Sequence, residues 1–335
     1  MKLLFIGGTG LISSACAELA VQRGHEVFLL NRAASRKYSA PQGATVIQAD
    51  LSAPYARLSA LLSRRRFDAV IDFIAYTPEN IRLSMSLFRE ATDQFVFISS
   101  ASAYQKPPKN YLITENTPLE NPFWQYSRDK IACEEILLDE YRRAGFPVTI
   151  VRPSLTYGPS QIPIIGASWI HPYTLVDRIK RGGKVIIPGD GTSLWTLTWN
   201  ADFAVGLLGL LGNKKSIGEA FHITSDEVLS WNQIFLELYS ALNMPPNVAH
   251  IASDFIIALD PEKQGTLLGD KIHSAVFDNS KIKRFVPEFD CKVKWAEGVR
   301  RSLAWYEAHP EFQTIDNEMN QKWDEIIAAY EKALP

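Results

Sequence analysis

The chain has 335 residues, of which 46% are hydrophobic and 21% are charged, so it can bury the core of one large domain and of a smaller one. Its formal net charge of −2 excludes bulk attraction to nucleic acid or to an anionic membrane surface. No apolar run reaches the roughly 20 residues that a membrane-spanning helix requires, and the first residues form a strand pattern rather than a signal peptide.

The first predicted elements are a strand, a glycine-rich turn and a helix. Residues 2–6 form a continuous apolar run, which is typical of a strand buried on both faces of a parallel sheet. In the next turn, Gly7 permits a tight bend and Gly10 lets the backbone approach a pyrophosphate at the helix N-terminus, which predicts dinucleotide binding. Ser13 stands where such turns usually have a glycine or an alanine, and a purely structural turn is the alternative interpretation. The candidate cofactor contacts here are Gly7, Thr9, Gly10, Leu11 and Ile12.

The second predicted strand, residues 26–30, is followed by a basic segment. An acidic residue at its end would bond the adenosine ribose 2′-hydroxyl, but Asn31 stands there, and Arg32 offers a guanidinium suited to a 2′-phosphate. We therefore predict a preference for NADP(H), with NAD(H) as the alternative cofactor and a solvated basic turn as the alternative interpretation. The candidate contacts are Asn31, Arg32 and Arg36.

The third and fourth predicted strands, residues 44–49 and 68–75, bring further candidates to the same edge of the sheet. Asp50 follows the third strand, where it either accepts a hydrogen bond from an adenine amino group or caps the next helix, and the two roles are compatible. The end of the fourth strand lies beside the glycine turn in this topology. The candidates from these strands are Asp50, Leu51, Phe73 and Ala75 for the cofactor and Tyr76 for the substrate.

A serine-rich strand end and a helix carry the predicted chemistry. The fifth strand, residues 94–98, delivers Ser100 to the carboxyl edge, and a helix from about 124 to 143 carries Tyr126 and Lys130. These two residues are four apart and lie on one helix face, so the ammonium would lower the pKa of the phenol towards neutrality. Such a tyrosine is a general acid or base for a carbinol or carbonyl, whose oxygen a serine hydroxyl polarises. A chance spacing is the alternative interpretation.

At these residues the chain resembles the extended short-chain dehydrogenase/reductases of the NAD-dependent epimerase/dehydratase family. The matching motifs are Gly-Gly-Thr-Gly at 7–10, Asp50-Leu51, Ser-Ser-Ala-Ser-Ala-Tyr at 99–104, Tyr126-x-x-x-Lys130 and Arg-Pro-x-x-x-Tyr-Gly-Pro at 152–159. The resemblance implies an α/β fold, a Rossmann doubly wound parallel sheet with a smaller C-terminal substrate lobe. It also implies a homodimer formed through a helix pair that includes the Tyr126 helix.

The resemblance assigns roles to the same residues. Ser100 corresponds to the catalytic serine and Tyr126 to the acid/base. Lys130 corresponds to the lysine that holds the nicotinamide ribose and tunes the tyrosine, and Pro153 to the proline that flanks the nicotinamide. We expect residues 1–160 to form the NAD(P)-binding Rossmann domain, with returning segments near 185–225. Residues 161–184 and 226–335 would form the substrate-binding lobe and the C-terminal helices.

Two departures from the family pattern bear on the substrate. Family dehydratases have Asp-Glu just after the catalytic hydroxyl residue, where this chain has Ala101 and Ser102, so dehydration of that kind is not expected. Two arginines that grip a nucleotide-sugar diphosphate are replaced by Trp195 and by Leu267 and Leu268, which argues against a UDP- or dTDP-sugar. The residues that could partly substitute for these arginines are Lys271 and His273.

The remaining substrate candidates have structural alternatives. Trp195 could stack on a sugar ring or belong to the core, and His171 could contact substrate or cap a local turn. The substrate candidates are Tyr76, Ser102, His171 and Trp195. The other five histidines show no ligand spacing and the three cysteines are far apart, so we expect no metal and a reducing, cytoplasmic location.

The sequence therefore predicts an NAD(P)-dependent oxidoreductase or epimerase acting on a carbonyl or carbinol of a sugar-like or hydroxylated small molecule. The alternative comes from the C-terminal half, where Phe-Asp-Asn-Ser-Lys-Ile-Lys at 277–283 resembles the family branch that includes the chloroplast stem-loop RNA-binding proteins. That alternative is a Rossmann-fold RNA-binding protein with little or no catalytic activity. The near-neutral charge makes a nucleic-acid partner the less favoured of the two.

Overall fold

A seven-stranded parallel sheet forms the centre of the molecule in a computed structural model, which describes residues 1–35, 37–63, 65–163 and 165–334. Along these residues the strands are β1 (Lys2–Ile6), β2 (Glu26–Asn31), β3 (Thr45–Gln48), β4 (Ala69–Asp72), β5 (Phe95–Ile98), β6 (Leu112–Ile113), β7 (Val148–Pro153), β8 (Leu155–Tyr157), β9 (Val185–Pro188), β10 (Leu194–Trp195), β11 (Leu197–Trp199), β12 (Ala220–Ile223), β13 (Leu229–Ser230), β14 (Val248–Ile251) and β15 (Val276–Phe277). The helices are α1 (Leu11–Gln22), α2 (Tyr55–Leu62), α3 (Pro78–Phe88), α4 (Gln125–Ala144), α5 (Tyr173–Lys180), α6 (Asn200–Leu210), α7 (Trp231–Ala241), α8 (Ser253–Leu259), α9 (Gln264–Thr266), α10 (Ser280–Phe285), α11 (Trp295–Ala308) and α12 (Asn317–Ala333).

The central sheet has the strand order β12-β7-β5-β4-β1-β2-β3, and all of its neighbours are parallel. The order reverses at β1, which pairs with β2 on one side and with β4 on the other. Helices cover both faces: α1 and α6 belong to one hydrophobic core, and α2, α3 and α4 belong to the opposite one. This arrangement is the predicted doubly wound Rossmann sheet, in which the reversal point forms a crevice at the carboxyl ends of the strands.

A third hydrophobic core lies outside the sheet. It is built chiefly from chain beyond residue 154, including α5, α7, α11 and α12. Within the segment 185–225, β9 pairs with β14 beside this third core, whereas α6 and β12 join the central sheet. The smaller C-terminal lobe expected from the sequence therefore has a core of its own.

Several element ends have visible local causes. Strand β4 ends at Asp72, short of the predicted 75, because its carboxylate accepts hydrogen bonds from the backbone N–H groups of Ile74 (3.0 Å) and Ala75 (2.9 Å). Helix α7 begins after Ser230, whose hydroxyl accepts from the Gln233 N–H as an N-cap. Asp316 caps α12 in the same way, so that helix begins at Asn317.

Candidate active site

A large cleft, with a volume of about 1580 Å³, opens where the reversal point of the sheet faces the C-terminal lobe. The predicted residues that line it are Gly7, Thr9, Gly10, Leu11, Ile12, Asn31, Arg32, Asp50, Leu51, Phe73, Tyr76, Ser100, Ser102, Tyr126, Lys130, Pro153 and Trp195. Arg36 lies outside the described residues. Among the described lining residues, Ala75 and His171 do not occur.

The glycine turn between β1 and α1 has a conformation that requires glycine. Gly7 and Gly8 have φ angles of +108° and +81°, a region that side chains with a Cβ rarely adopt. A Cβ on Gly8 would also meet Leu29 Cδ2 at 2.7 Å. Gly10 is the N-cap of α1, so the backbone amides of the first helical turn face the cleft end of the sheet.

Ser13 has a specific role in this turn. Its hydroxyl accepts a hydrogen bond from the Gly10 N–H at 2.9 Å, and the side chain is 3% exposed. The departure from glycine or alanine at this position therefore satisfies one N–H at the helix start that would otherwise have no partner within the helix.

The side chains after β2 and β3 are partly committed to local hydrogen bonds. Asn31 Nδ2 donates to Gly7 O at 3.0 Å, and Asn31 Oδ1 accepts from the Ala33 N–H at 2.8 Å. Asp50 Oδ1 accepts from both the N–H and the hydroxyl of Ser52, each at 2.9 Å, which forms a local turn before α2. The predicted helix-capping role is wrong, because α2 begins after Pro54 and has no side-chain cap among the described residues. The hydrogen bonds from Ser52 lower the pKa of Asp50, so it carries a negative charge at neutral pH. Arg32 is exposed beside them in the cleft wall.

The serine-rich turn after β5 holds a chain of hydroxyl groups. Ser100 Oγ lies 2.9 Å from Ser102 Oγ, and the Ser127 hydroxyl donates to Ser102 at 2.8 Å. Ser127 is fully buried and belongs to α4, so this chain fixes the serine turn against the helix that carries Tyr126. Sequence reasoning missed Ser127, although its place next to Tyr126 could have suggested it.

Lys130 is buried and its ammonium faces backbone oxygens. The Nζ donates to Ala75 O at 2.7 Å and to Ile98 O at 2.8 Å, and it lies 5.8 Å from the centre of the Tyr126 ring. Burial lowers the pKa of Lys130 to about 8, although the Asp72 carboxylate acts in the opposite direction. Ala75 therefore serves the site through its carbonyl oxygen, below the cleft surface.

The predicted lowering of the Tyr126 pKa is wrong for this structure. Burial raises the pKa of Tyr126 to about 12, and the hydrogen-bonding influence of Ser100 offsets this only in part. The physical reason is that removal of the phenol from water disfavours the phenolate. At neutral pH this tyrosine is therefore a proton donor.

Two further candidates, His171 and Trp195, lie in surroundings that favour the structural alternatives given for them. His171 Nδ1 lies 2.8 Å from Thr314 Oγ1, and His171 is not among the described lining residues, which favours the structural alternative. The substrate contact of His171 stays a prediction. Trp195 is 2% exposed and stacks on Trp231 with ring centres 5.4 Å apart, so it is chiefly a core residue whose edge reaches the cleft.

Residues that the sequence did not single out complete the cleft on the side of the lobe. Asn121 Nδ2 donates to Ser102 O at 2.8 Å and to Gly269 O at 2.7 Å, so it joins the serine turn to the lobe. Lys106 and Trp124 also line the cleft. These residues belong to the site because they contact residues about 150 positions later in the chain. Local sequence patterns do not predict such distant contacts.

The described residues contain no group of three histidine, cysteine, aspartate or glutamate side chains arranged to hold a metal ion. Within the same ranges, no helix combines the length and the apolar character needed to cross a bilayer.

The fold and this cleft define a Rossmann α/β protein with a serine, a tyrosine and a lysine at the carboxyl edge of its sheet. Residues 3–224, more than half of the chain, match the model of the NAD dependent epimerase/dehydratase family. The chain belongs to that family, which confirms the resemblance drawn from the motifs.

Named relatives show the range of this family. The chain is 29% identical over 213 residues to a UDP-glucose 4-epimerase of Lactobacillus helveticus, an alignment that covers 57% of this chain and 64% of that protein. It is 24% identical over 261 residues to the chloroplast stem-loop binding protein of 41 kDa b of Arabidopsis thaliana, covering 74% of this chain and 65% of the relative. The chain thus spans slightly less than two thirds of the length of these two relatives.

A solved structure supports the fold. The UDP-glucose 4-epimerase of Bifidobacterium longum, in complex with NAD+ and UDP, superposes with a TM-score of 0.75 at 17% identity. The match covers 93% of this chain and all of that one. It confirms the α/β fold predicted from the sequence.

Proposed function

We propose that this protein is an NAD(P)-dependent oxidoreductase or epimerase acting on a carbonyl or carbinol of a sugar-like or hydroxylated small molecule. The observation that carries the proposal is that Ser100, Tyr126 and Lys130 line one cleft together with the glycine turn. The family match and the named epimerase relative support the same reaction class.

The residues present fit a dinucleotide. A glycine turn with positive φ angles precedes the N-terminus of α1, where backbone amides and the helix dipole favour a pyrophosphate. When bound, the nicotinamide would supply or take up a hydride at the substrate carbon. The residues that would hold the dinucleotide are Gly7, Thr9, Gly10, Leu11, Ile12, Asn31, Arg32, Asp50, Leu51, Phe73, Tyr126, Lys130 and Pro153.

The protein's own groups would then control the substrate oxygen. Tyr126, protonated at neutral pH, would donate its proton to a carbonyl oxygen during reduction, which leaves the phenolate. In the reverse direction the phenolate would take the proton from a carbinol and return to the phenol. The Ser100 hydroxyl would hold that oxygen and stabilise the charge that develops on it. The Lys130 ammonium, 5.8 Å from the phenol ring centre, would stabilise the phenolate that forms.

We infer a preference for NADP(H), with NAD(H) as the alternative. Asn31 supplies no carboxylate for the ribose, and Arg32 lines the cleft at the end of β2. A charge-assisted bond to a 2′-phosphate would favour NADP(H) by about tenfold or more. The test is a fluorescence titration of both reduced cofactors, together with native mass spectrometry of any nucleotide that the purified protein retains. Tighter binding of NAD(H) would overturn the preference.

The decisive variant for the reaction is Tyr126→Phe, which removes the proton donor while keeping the ring. We expect turnover to fall by about 100-fold or more while cofactor affinity stays nearly unchanged. Turnover would be measured from NAD(P)H absorbance with a panel of hydroxylated aldehydes and ketones. Tyr111→Phe is the control, because Tyr111 is 62% exposed. Wild-type turnover in Tyr126→Phe would contradict the proposed role.

RNA binding is the second candidate, favoured by the similarity to the stem-loop binding protein. It predicts an affinity for stem-loop RNA that falls steeply with salt. The absence of binding at low salt would remove it.

We further infer a homodimer formed through a helix pair that includes α4, and a cytoplasmic location consistent with three unpaired, buried cysteines. Analytical ultracentrifugation would test the dimer, and a monomer at micromolar concentration would contradict it.

A further inference from the structure

The lobe end of the cleft contains a cluster of charged and aromatic side chains that the proposed reaction does not use. Its members all line the cleft and lie next to the proposed catalytic residues. They are Lys106, Trp124, Trp195, Asp270 and Lys271, which we call the lobe cluster. Lys106 follows the serine turn, whereas Asp270 and Lys271 end the helical turn Leu267–Lys271 of the lobe.

Close backbone packing holds this helical turn beside the active site. A Cβ on Gly265 would lie 2.5 Å from Trp124 Cδ1, and a Cβ on Gly269 would lie 2.8 Å from Trp124 Cβ. The ring of Trp124 lies in turn 4.9 Å from the ring of Tyr126 and 5.8 Å from Lys271 Nζ. The lobe cluster is therefore within the length of one sugar-sized molecule from the proposed proton donor.

Lys106 is an unusual member because it is a buried cation without a close partner. Its side chain is 2% exposed, and its Nζ makes no hydrogen bond to any of the described residues. The Asp270 carboxylate lies 4.0 Å away, at the limit of an ion pair. Burial lowers the pKa of Lys106, with Asp270 acting in the opposite direction.

Within the lobe cluster, the two lysines outnumber the one carboxylate. Asp270 is already paired with Lys271, whose Nζ lies 3.0 Å from Oδ2, so one carboxylate faces two ammonium groups. A buried charge is strongly disfavoured in a protein interior unless it is well paired, and the contact of Lys106 with Asp270 is long. The Trp195 indole N–H adds a buried donor that has no hydrogen-bond partner among the described residues. Such donors collected around one cavity are what a bound oxyanion would satisfy.

We propose that the substrate carries a compact oxyanion, a carboxylate or a phosphate group, which Lys106 and Lys271 bind while Tyr126 acts on the carbonyl or carbinol of the same molecule. The inference rests on the proposed function, since it names the substrate class of the same cleft. In this proposal, Lys106 and Lys271 select the substrate, and they lie at the lobe end of the cleft, apart from the edge of the sheet that would bind the cofactor.

The test titrates inorganic phosphate and sodium acetate against the full-length protein saturated with NADP+, at constant ionic strength, with the thermal midpoint as readout. Saturation with nucleotide covers the glycine turn, the other place where an anion would bind. The variants are Lys106→Met and Lys271→Met, with Lys109→Met as a matched control on the same loop and at an exposed position. General salt effects on stability are common to all four proteins, so the difference between them isolates the site.

We expect one of the two anions to stabilise the wild type and Lys109→Met, and its apparent affinity to fall about tenfold or more in Lys106→Met. A response to phosphate alone indicates a phosphorylated substrate, and a response to acetate alone a carboxylated one. Equal affinity in the wild type and in Lys106→Met, or no response to either anion, overturns the proposal. If Lys106→Met does not fold, unchanged affinity in Lys271→Met overturns it instead.

The two proposals fail in different ways. If no nucleotide binds, the proposed function fails, and the anion titration is run on the free protein. Dependence on Lys106 then still supports the oxyanion site, and binding that is insensitive to both lysine variants refutes it.

Discussion

The Lys130 ammonium is buried and donates hydrogen bonds to the carbonyl oxygens of Ala75 and Ile98. Its pKa in the folded protein is about 8, against about 10.4 for an unfolded chain. Between these values the unfolded chain binds more protons than the folded one. The free energy of unfolding therefore increases as pH rises from about 8 towards 10. Below pH 8, Lys130 is charged in the folded protein, and burial of this charge destabilises the fold.

Lys130→Met removes this titration. We expect the free energy of unfolding of the wild type to rise relative to that of the variant between pH 8 and pH 10, by up to about 3 kcal/mol. Urea unfolding of nucleotide-free protein at several pH values measures the difference. Lys109→Met loses the same charge at an exposed position and should follow the wild type. Parallel curves for wild type and Lys130→Met would show that the ammonium is well solvated in the native state.

The same residue shows how far sequence reasoning reaches at this scale. The spacing of Tyr126 and Lys130 correctly predicted that both would line one cleft. The spacing could not predict that the pKa of Tyr126 is raised. That shift arises because the phenol is buried, while Lys130 donates its hydrogen bonds to backbone carbonyl oxygens elsewhere in the fold. Lys106 was missed altogether, since nothing near it in sequence indicates that Asp270 will lie 4.0 Å away.

At the scale of elements, α6 shows how tightly the helix packs against the segment that follows α10. Its residue Gly209 faces Val286, and a Cβ there would lie 2.2 Å from Val286 Cγ1. Two effects oppose each other in Gly209→Ala. Alanine raises the helix propensity by about 1 kcal/mol, whereas overpacking typically costs 1–3 kcal/mol.

We expect the steric effect to exceed the propensity, so Gly209→Ala should lower the free energy of unfolding by about 1 kcal/mol. The double variant Gly209→Ala/Val286→Ala relieves the overlap and completes a double-mutant cycle, which should show a favourable coupling between the two changes. Urea unfolding provides the values. A stabilised single variant would mean that α6 shifts to accept the methyl group.

Elements of the sheet were easier to predict than those of the lobe. The predicted strands 2–6 and 94–98 correspond closely to β1 and β5. By contrast, β9 pairs with β14 more than 60 residues later, and short elements such as β10 have no periodicity to detect. Lobe structure depends on such distant pairings, which local propensity does not encode.

At the scale of the whole molecule, the three cysteines are distributed between the two cores that flank the sheet. Cys16 and Cys291 lie in one, and Cys133 lies in the other. Burial raises the pKa of each thiol, that of Cys133 to about 12. A buried thiol reacts only when the surrounding structure opens.

Native protein should therefore show almost no reaction with Ellman's reagent over minutes, and three thiols per chain should react in urea. A kinetic trace at 412 nm, with and without denaturant, measures this. One equivalent that reacts rapidly without urea would reveal local opening of the core that contains it.

Asn121 has a consequence for the whole molecule as well. One amide nitrogen bonds the backbone of the serine turn and the backbone of the lobe at 2.8 Å and 2.7 Å. Asn121 thereby fixes the spacing between the serine turn and the helical turn of the lobe that carries Asp270 and Lys271. If the substrate binds as proposed, this fixed spacing would favour molecules whose oxyanion and reacting carbon are separated by a matching distance.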